Sequence, residues 1–298
     1  MVFNRLHVAC IVFMLSLAGS LQAAEYLVFY LGGQSNMDGY GYVSELPEGW
    51  AGTVGNVMIF QGRQGEDGKE GGGVGTWVPL GPGYGIGFSS DGRDNVLSDR
   101  FGPELAFGRR MAELNPGARI ALVKYSRGGT SLLEGASGYG NWEPDSELGG
   151  GINQYDHALA TLRNALAVED IDGDGEADTL RPAGIAWMQG EADAYDNPVA
   201  ARAYRQNLKR MMDLFRAALR TDDLPVVLGR IVDSGRDDDG RELASGVYLY
   251  RLQTGDDFSE TDDQPQSLLH HLFSVNGNVE DSHEDESRTT KTAGYRTA

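Results

Sequence analysis

The sequence predicts an α/β protein, a parallel central sheet with helices on both of its faces. Three observations predict it. Short apolar runs alternate with segments of helical period from Tyr26 to Val232. Polar, glycine-containing turns follow three of those runs, and 298 residues suit one domain of this kind. Composition then narrows the function. With 25 Lys and Arg against 44 Asp and Glu, the formal charge is −19. That excess excludes a nucleic-acid binder, which needs clustered cations to neutralise phosphate, and disfavours anionic membrane. Glycine makes up 42 of 298 residues, about double the usual ~7%, so long connections are expected.

Residues 1–23 read as a secretory signal: Arg5, an apolar run from Val8 to Leu21, and the small-residue ending Leu21-Gln22-Ala23. The run is shorter than the ~20 residues a membrane span requires. Cleavage would remove Arg5 and Cys10, leaving 24 cations against 44 carboxylates, a charge of −20, and no cysteine for a disulfide. The mature protein is expected to be secreted, periplasmic or on the cell surface, with no membrane attachment.

The elements follow in order. Tyr26–Leu31 is an apolar run closed by Gly32-Gly33, a buried strand and its turn. Val57–Phe60 is a second short strand. Residues 61–100 are glycine-rich without period and predict an extended surface loop, whose Trp77, Tyr84 and Phe88 would wall a cleft. Gly102-Pro103-Glu104 opens a helix that stops at Asn115-Pro116-Gly117, with Pro suited to the first turn and Glu to the helix dipole. Arg119–Tyr125 is the next strand, and a helix covers roughly 154–168. Gly184–Met188 is the fourth strand. Asn197-Pro198 opens the longest helix, and Pro225–Val232 is the last strong strand.

In such sheets ligands sit where the carboxyl ends of the strands open a crevice. Three turns lie there: Gly33-Gln34-Ser35-Asn36-Met37, Ser126-Arg127-Gly128-Gly129-Thr130, and Gln189-Gly190-Glu191-Ala192-Asp193. A serine at a strand-to-helix turn can present its hydroxyl as a nucleophile, and neighbouring N–H groups can hold the oxyanion formed by its attack on a carbonyl.

These blocks, with Phe101-Gly102-Pro103-Glu104, Arg127-Gly128-Gly129-Thr130-Ser131-Leu132, Trp187-Met188-Gln189-Gly190-Glu191-Ala192-Asp193 and Leu228-Gly229-Arg230-Ile231, resemble the sialate O-acetylesterase-like branch of the SGNH hydrolases, which includes carbohydrate esterase family six. The resemblance covers roughly residues 26–240. It implies a three-layer α/β/α sandwich around a parallel sheet in a flavodoxin-like arrangement. The implied activity is cofactor-free removal of O-acetyl groups from carbohydrates such as acetylxylan or acetylated sugars, through an acyl-enzyme on Ser35. It also implies an oxyanion hole from the Ser35 and Gly129 N–H groups and the Gln189 side chain, with Gln34, Asn36 and Glu191 around it. Glu191 orients the site or pairs with an arginine. Trp187 reads as core. The esterase domain would span 24–240.

The family's base is a histidine near the C-terminus with an aspartate three residues earlier, and the last stretch of this chain departs from that pattern. His283 follows Asp281 by two residues and is the candidate base, with Asp281 its partner. His270 and His271 lie in an apolar run, His157 lies on an amphipathic helix, and a rival register puts Thr289 where the base belongs. Gly246–Gln253 resembles a strand of a sorting-tail or hook-capping β-module. Between Arg251 and Arg288 stand ten carboxylates and no cation, so 241–298 reads as an atypical acidic, irregular segment. Without a base, the chain would be a carbohydrate-binding relative with impaired catalysis.

Asp170, Asp172, Asp174 and Asp178 occupy positions one, three, five and nine of an acidic loop with Gly175 at six. This spacing suits a structural calcium ion, although position twelve is Arg181 rather than glutamate. With calcium bound, the loop is expected to brace the Gln189 turn. A calcium-dependent surface or adhesion protein is the third reading.

Overall fold

The computed structural model describes residues 23–195, 197–229, 249–252 and 258–259. Five strands run parallel: β1 (Glu25–Gly33), β2 (Val57–Gln61), β3 (Arg119–Ser126), β4 (Thr179–Met188) and β5 (Val226–Gly229). Their order across the sheet is β5-β4-β1-β3-β2. Residues Val78–Pro79 pair antiparallel with β2 at one edge. At the other edge β6 (Leu249–Leu252) lies antiparallel to β5, and β7 (Phe258–Ser259) lies antiparallel to β6. The flanking helices are α1 (Ser35–Asp38), α2 (Pro103–Leu114), α3 (Gln154–Leu166), α4 (Glu191–Ala194) and α5 (Pro198–Ala218).

β1 explains the layering. All of its residues after Glu25 are buried, because a central parallel strand is covered on both faces. Alternation sends Tyr26, Val28 and Tyr30 to one side, with Leu162 of α3 and Met211 and Phe215 of α5. Leu27, Phe29 and Leu31 face the other side, with Leu105 and Met111 of α2. The result is the expected three-layer α/β/α sandwich. The helix starts follow from local chemistry. Asn153 forms a capping box with Asp156 at α3, and the Asn197 side chain accepts from Val199 N and Ala200 N at α5.

The glycine-rich stretch after β2 differs from the expected surface loop. Trp77, Tyr84 and Phe88 are all buried. Trp77 packs edge-on against Phe60 and donates Nε1–H to Ala165 O at 2.9 Å, while Tyr84 and Phe88 pack on each other. These rings are core, because the segment folds back over both layers, and they cannot wall a cleft.

One buried cation joins this segment to the rest. Lys124 on β3 is fully enclosed and ion-paired with Glu104 of α2, Nζ to Oε2 2.6 Å, itself fully enclosed. Nζ also donates to Asp38 O at 3.0 Å and Tyr84 O at 2.8 Å. Glu104 accepts from Gly102 N at 2.8 Å, fixing the start of α2. The ammonium's three hydrogens therefore reach α1, the inserted segment and α2. Lys124→Met would leave the Glu104 carboxylate buried without its cation, and the expected loss is ~3–5 kcal/mol of unfolding free energy, measurable by urea denaturation. A loss below ~1 kcal/mol would show that the network does not hold these elements together.

Candidate active site

The site begins where β1 stops. Gly33 has φ +148°, and a Cβ there would lie 2.0 Å from Met188 O, so only glycine lets β1 run this close to the end of β4. Gln34 N donates to Met188 O at 2.8 Å, and Ser35 then opens the single turn of α1. Ser35 is half-buried, and its Oγ has the Gln34 amide nitrogen 3.4 Å away.

The turn after β3 lies directly against it. Arg127 N donates to Gly33 O at 3.1 Å, and a Cβ placed on Gly128 would stand 3.4 Å from Ser35 Cβ. Gly129 adopts φ +76°. Among the described residues, neither the Ser35 N–H nor the Gly129 N–H donates to a protein acceptor. Two free backbone donors beside a half-exposed hydroxyl are the chemical requirement for stabilising a tetrahedral oxyanion.

The turn after β4 is held by a residue to which the sequence reading assigned no role. Asp193 is fully buried and accepts from Leu132 N at 2.8 Å, Leu133 N at 3.1 Å and the Gln189 amide at 2.7 Å. The same Gln189 Nε2 donates to Thr130 O at 2.9 Å. Both amide hydrogens are thus engaged inward, while Gln189 Oε1 is buried without a partner among the described residues. The expectation that this side chain supplies an oxyanion N–H is therefore corrected: it braces the turn carrying Gly129. Asp193 lies four residues after Gln189, one helical turn on, and that spacing was the available signal. The Asn36 amide donates to Glu191 Oε1, tying α1 to α4. Glu191 makes no arginine ion pair among the described residues, so it holds the nucleophile turn rather than a salt bridge.

Burial pushes the pKa of Asp38 up, opposed by hydrogen bonding and by the Lys124 charge. Gln64 donates to its Oδ1 at 2.8 Å. Asp193 is raised for the same first reason, desolvation.

His283 and Asp281 lie outside the described residues, as do His270, His271 and Thr289. His157 is described and is a core residue. It is 3% exposed, its Nε2 meets Glu66 O at 3.2 Å, and burial lowers its pKa. Trp187 is core as expected, stacked edge-on with Trp142.

The acidic loop sits at the opposite end of the sheet. Ten residues of β4 separate it from Gln189, roughly 30 Å at strand rise, so it cannot brace that turn. Asp170, Asp172 and Asp174 each bring a carboxylate oxygen within 4.8 Å of the others. Asp170 accepts from Gly173, Asp174 and Gly175 N–H groups, Asp172 pairs with Arg119 at 2.6 Å and Tyr26, and Asp178 accepts from Ile171 N. A cavity of about 820 Å³ between the ends of α3 and α5 and the start of β4 also opens at that far end.

The family described as carbohydrate esterase, sialic acid-specific acetylesterase matches residues 25–251. No curated protein matches the chain significantly. Similar solved structures include a protein from Arabidopsis thaliana, 19% identical over 70% of this chain and 74% of that one, TM-score 0.46. NanS is 19% identical over 72% and 69%, TM-score 0.45. A carbohydrate acetylesterase from Xanthomonas citri is 17% identical over 67% of this chain and 40% of its own, TM-score 0.43.

The depressed pKa of His157 has a measurable consequence. In the unfolded chain the imidazole takes up a proton below pH ~6.5, whereas the folded protein resists it. Its contribution to stability is full above that pH and is lost as pH falls toward the lower folded value. His157→Phe should show a shallower fall in melting temperature between pH ~7.5 and ~5 than the unaltered protein. Parallel curves would mean the ring is protonated freely in the fold.

Proposed function

The chain belongs to the carbohydrate esterase, sialic acid-specific acetylesterase family, and from that premise we propose that it is an exported serine esterase removing O-acetyl groups from carbohydrate through an acyl-enzyme on Ser35. The observation that supports this most is the pairing of the half-exposed Ser35 hydroxyl with the free Ser35 and Gly129 N–H groups at the carboxyl ends of β1 and β3.

The chemistry follows from that arrangement. Ser35 Oγ attacks the acetyl carbonyl carbon while its proton passes to an imidazole, which we assign to His283 with Asp281 as its partner. The carbonyl oxygen becomes an oxyanion between the two N–H donors, which are fixed before the charge develops. Collapse breaks the bond to the sugar oxygen, and the imidazolium returns the proton to that oxygen as it leaves. Water then attacks the acetyl-serine with the imidazole as base, and acetate departs from a regenerated Ser35. No metal or organic cofactor takes part in these steps.

Ser35→Ala should lower kcat/KM for p-nitrophenyl acetate and for an O-acetylated sugar by roughly 10³-fold or more. Equal rates in the two proteins would defeat the mechanism and leave a carbohydrate-binding relative. His283→Ala should cost nearly as much, because nucleophile and base act as one unit. A mild effect, within about fivefold, would place the base elsewhere.

A further inference from the structure

With Trp77, Tyr84 and Phe88 buried, the aromatic surface near Ser35 comes from other residues. Tyr40 and Tyr139 are 53% and 70% exposed. A Cβ placed on Gly128 would lie 3.5 Å from Tyr40 Oη, and one placed on Gly129 would lie 2.8 Å from Tyr139 Cδ2. The same Gly128 position is 3.4 Å from Ser35 Cβ. Adjacent residues are ~3.8 Å apart along the chain, so the Tyr139 ring lies within roughly 10 Å of Ser35. That is the reach from an acetyl carbonyl across the sugar ring that bears it.

Tyr139 is exposed but not loosely held. The loop that carries it is closed at its base by Ser131 N to Gly140 O at 3.1 Å and Trp142 N to Ser131 O at 2.8 Å. Tyr139 N donates to Ser137 Oγ at 3.0 Å, and the Ser137 hydroxyl donates to Gly129 O. Tyr139 O accepts from Arg127 Nε at 3.2 Å, and Arg127 Nη1 is anchored on Gly65 O at 2.7 Å. Both backbone polar groups of Tyr139 are therefore tied to the turn that contains Gly129. An aromatic ring left mostly in water on a backbone fixed beside the nucleophile loses little conformational freedom when a ligand covers it. By contrast, the exposed Tyr42 ring is already covered by Arg100, whose guanidinium carbon lies 3.4 Å from its centroid.

We propose that Tyr139 is a specificity-determining residue, the platform on which the sugar ring of the acetylated substrate stacks, with the Tyr40 hydroxyl beside Gly128 as its neighbour. The proposal rests on the esterase reading above and adds to it the recognition of a pyranose. The negative face of the phenol ring suits the C–H bonds of a sugar ring, while the acetyl group is served by the Ser35 and Gly129 N–H groups. Recognition of the ring is thereby separated from recognition of the acyl group.

The test compares a fully O-acetylated methyl xyloside with ethyl acetate, which carries the acetyl group and no ring. Tyr139→Ala should lower the ratio of the two kcat/KM values roughly tenfold, mainly through KM of the xyloside, and Tyr139→Phe should keep the ratio within about twofold. An unmoved ratio in Tyr139→Ala would overturn the platform, including the case where both substrates slow together because the Gly129 turn is disturbed. A second arm needs no turnover. In the Ser35→Ala background, adding Tyr139→Ala should raise the Kd for the acetylated xyloside about tenfold by calorimetry. An equal Kd would overturn the platform. Failure of the esterase reading shows differently, as Ser35→Ala protein hydrolysing both esters at the unaltered rate.

Discussion

The carboxyl end of the sheet depends on one buried ammonium. Lys124 makes no contact with solvent, yet its three hydrogens meet Glu104, Asp38 O and Tyr84 O. Each acceptor belongs to a segment that arrives from a different part of the chain. Hydrophobic side chains replacing both Lys124 and Glu104 could fill the same volume, and such replacements of a whole pair are often no less stable. They could not specify which three segments meet there. An ammonium in a low-dielectric interior accepts only arrangements that satisfy all its hydrogens, and misassembled alternatives leave a charge buried without partners. The end of α1, the inserted segment and the start of α2 are thus held to one register, and Ser35 is three residues from the carbonyl that Lys124 grips.

Asp193 plays the complementary part on the other side of Ser35. Lys124 collects carbonyl and carboxylate oxygens, whereas Asp193 collects N–H groups from Leu132, Leu133 and Gln189. Between them the turns after β1, β3 and β4 are fixed from below by buried polar contacts. Ser35 N and Gly129 N sit in turns braced in this way, and among the described residues neither donates to a protein acceptor. Preorganisation of that kind costs nothing at the moment of reaction, because it is settled on folding.

Much of this was legible in the sequence, for identifiable reasons. The continuous apolar run of β1, the Gly33-Gln34-Ser35 turn and the cap signals at Asn153 and Asn197 are local features, so the strand and helix positions and the three turns could be read directly. What could not be read depends on contacts between distant residues. Trp77, Tyr84 and Phe88 lie in a glycine-rich stretch without period, which looks like a surface loop until the long-range pairing through Tyr84 O and Ala165 O is known. Tyr139 stands in an equally irregular stretch and is exposed, because its neighbours bond to its backbone rather than to its ring. The orientation of the Gln189 amide turned on Asp193, whose buried acceptor role has no compositional signature. The acidic loop was read next to the Gln189 turn because both flank β4 in sequence, yet a strand separates its two ends by its full length.

The acidic excess that first excluded nucleic acid also acquires a spatial logic. The acidic loop at 170–178 lies at the amino ends of the strands, away from Ser35. The carboxylates that do stand under the nucleophile turn, Asp38 and Asp193, are buried, and burial raises the pKa of both. Each therefore gives up its negative charge more readily than the same group in water, and Lys124 adds a compensating positive charge beside Asp38. This matters because an oxyanion forming at Ser35 would be opposed by unscreened carboxylates in a low-dielectric setting, where Coulomb repulsion is strongest. A neutral ester needs no electrostatic steering to reach the site, so nothing favours a negative field there. The acidic loop keeps its charge at a distance, and Asp38 and Asp193 near the nucleophile serve as hydrogen-bond acceptors, which leaves the developing charge to be met by N–H dipoles.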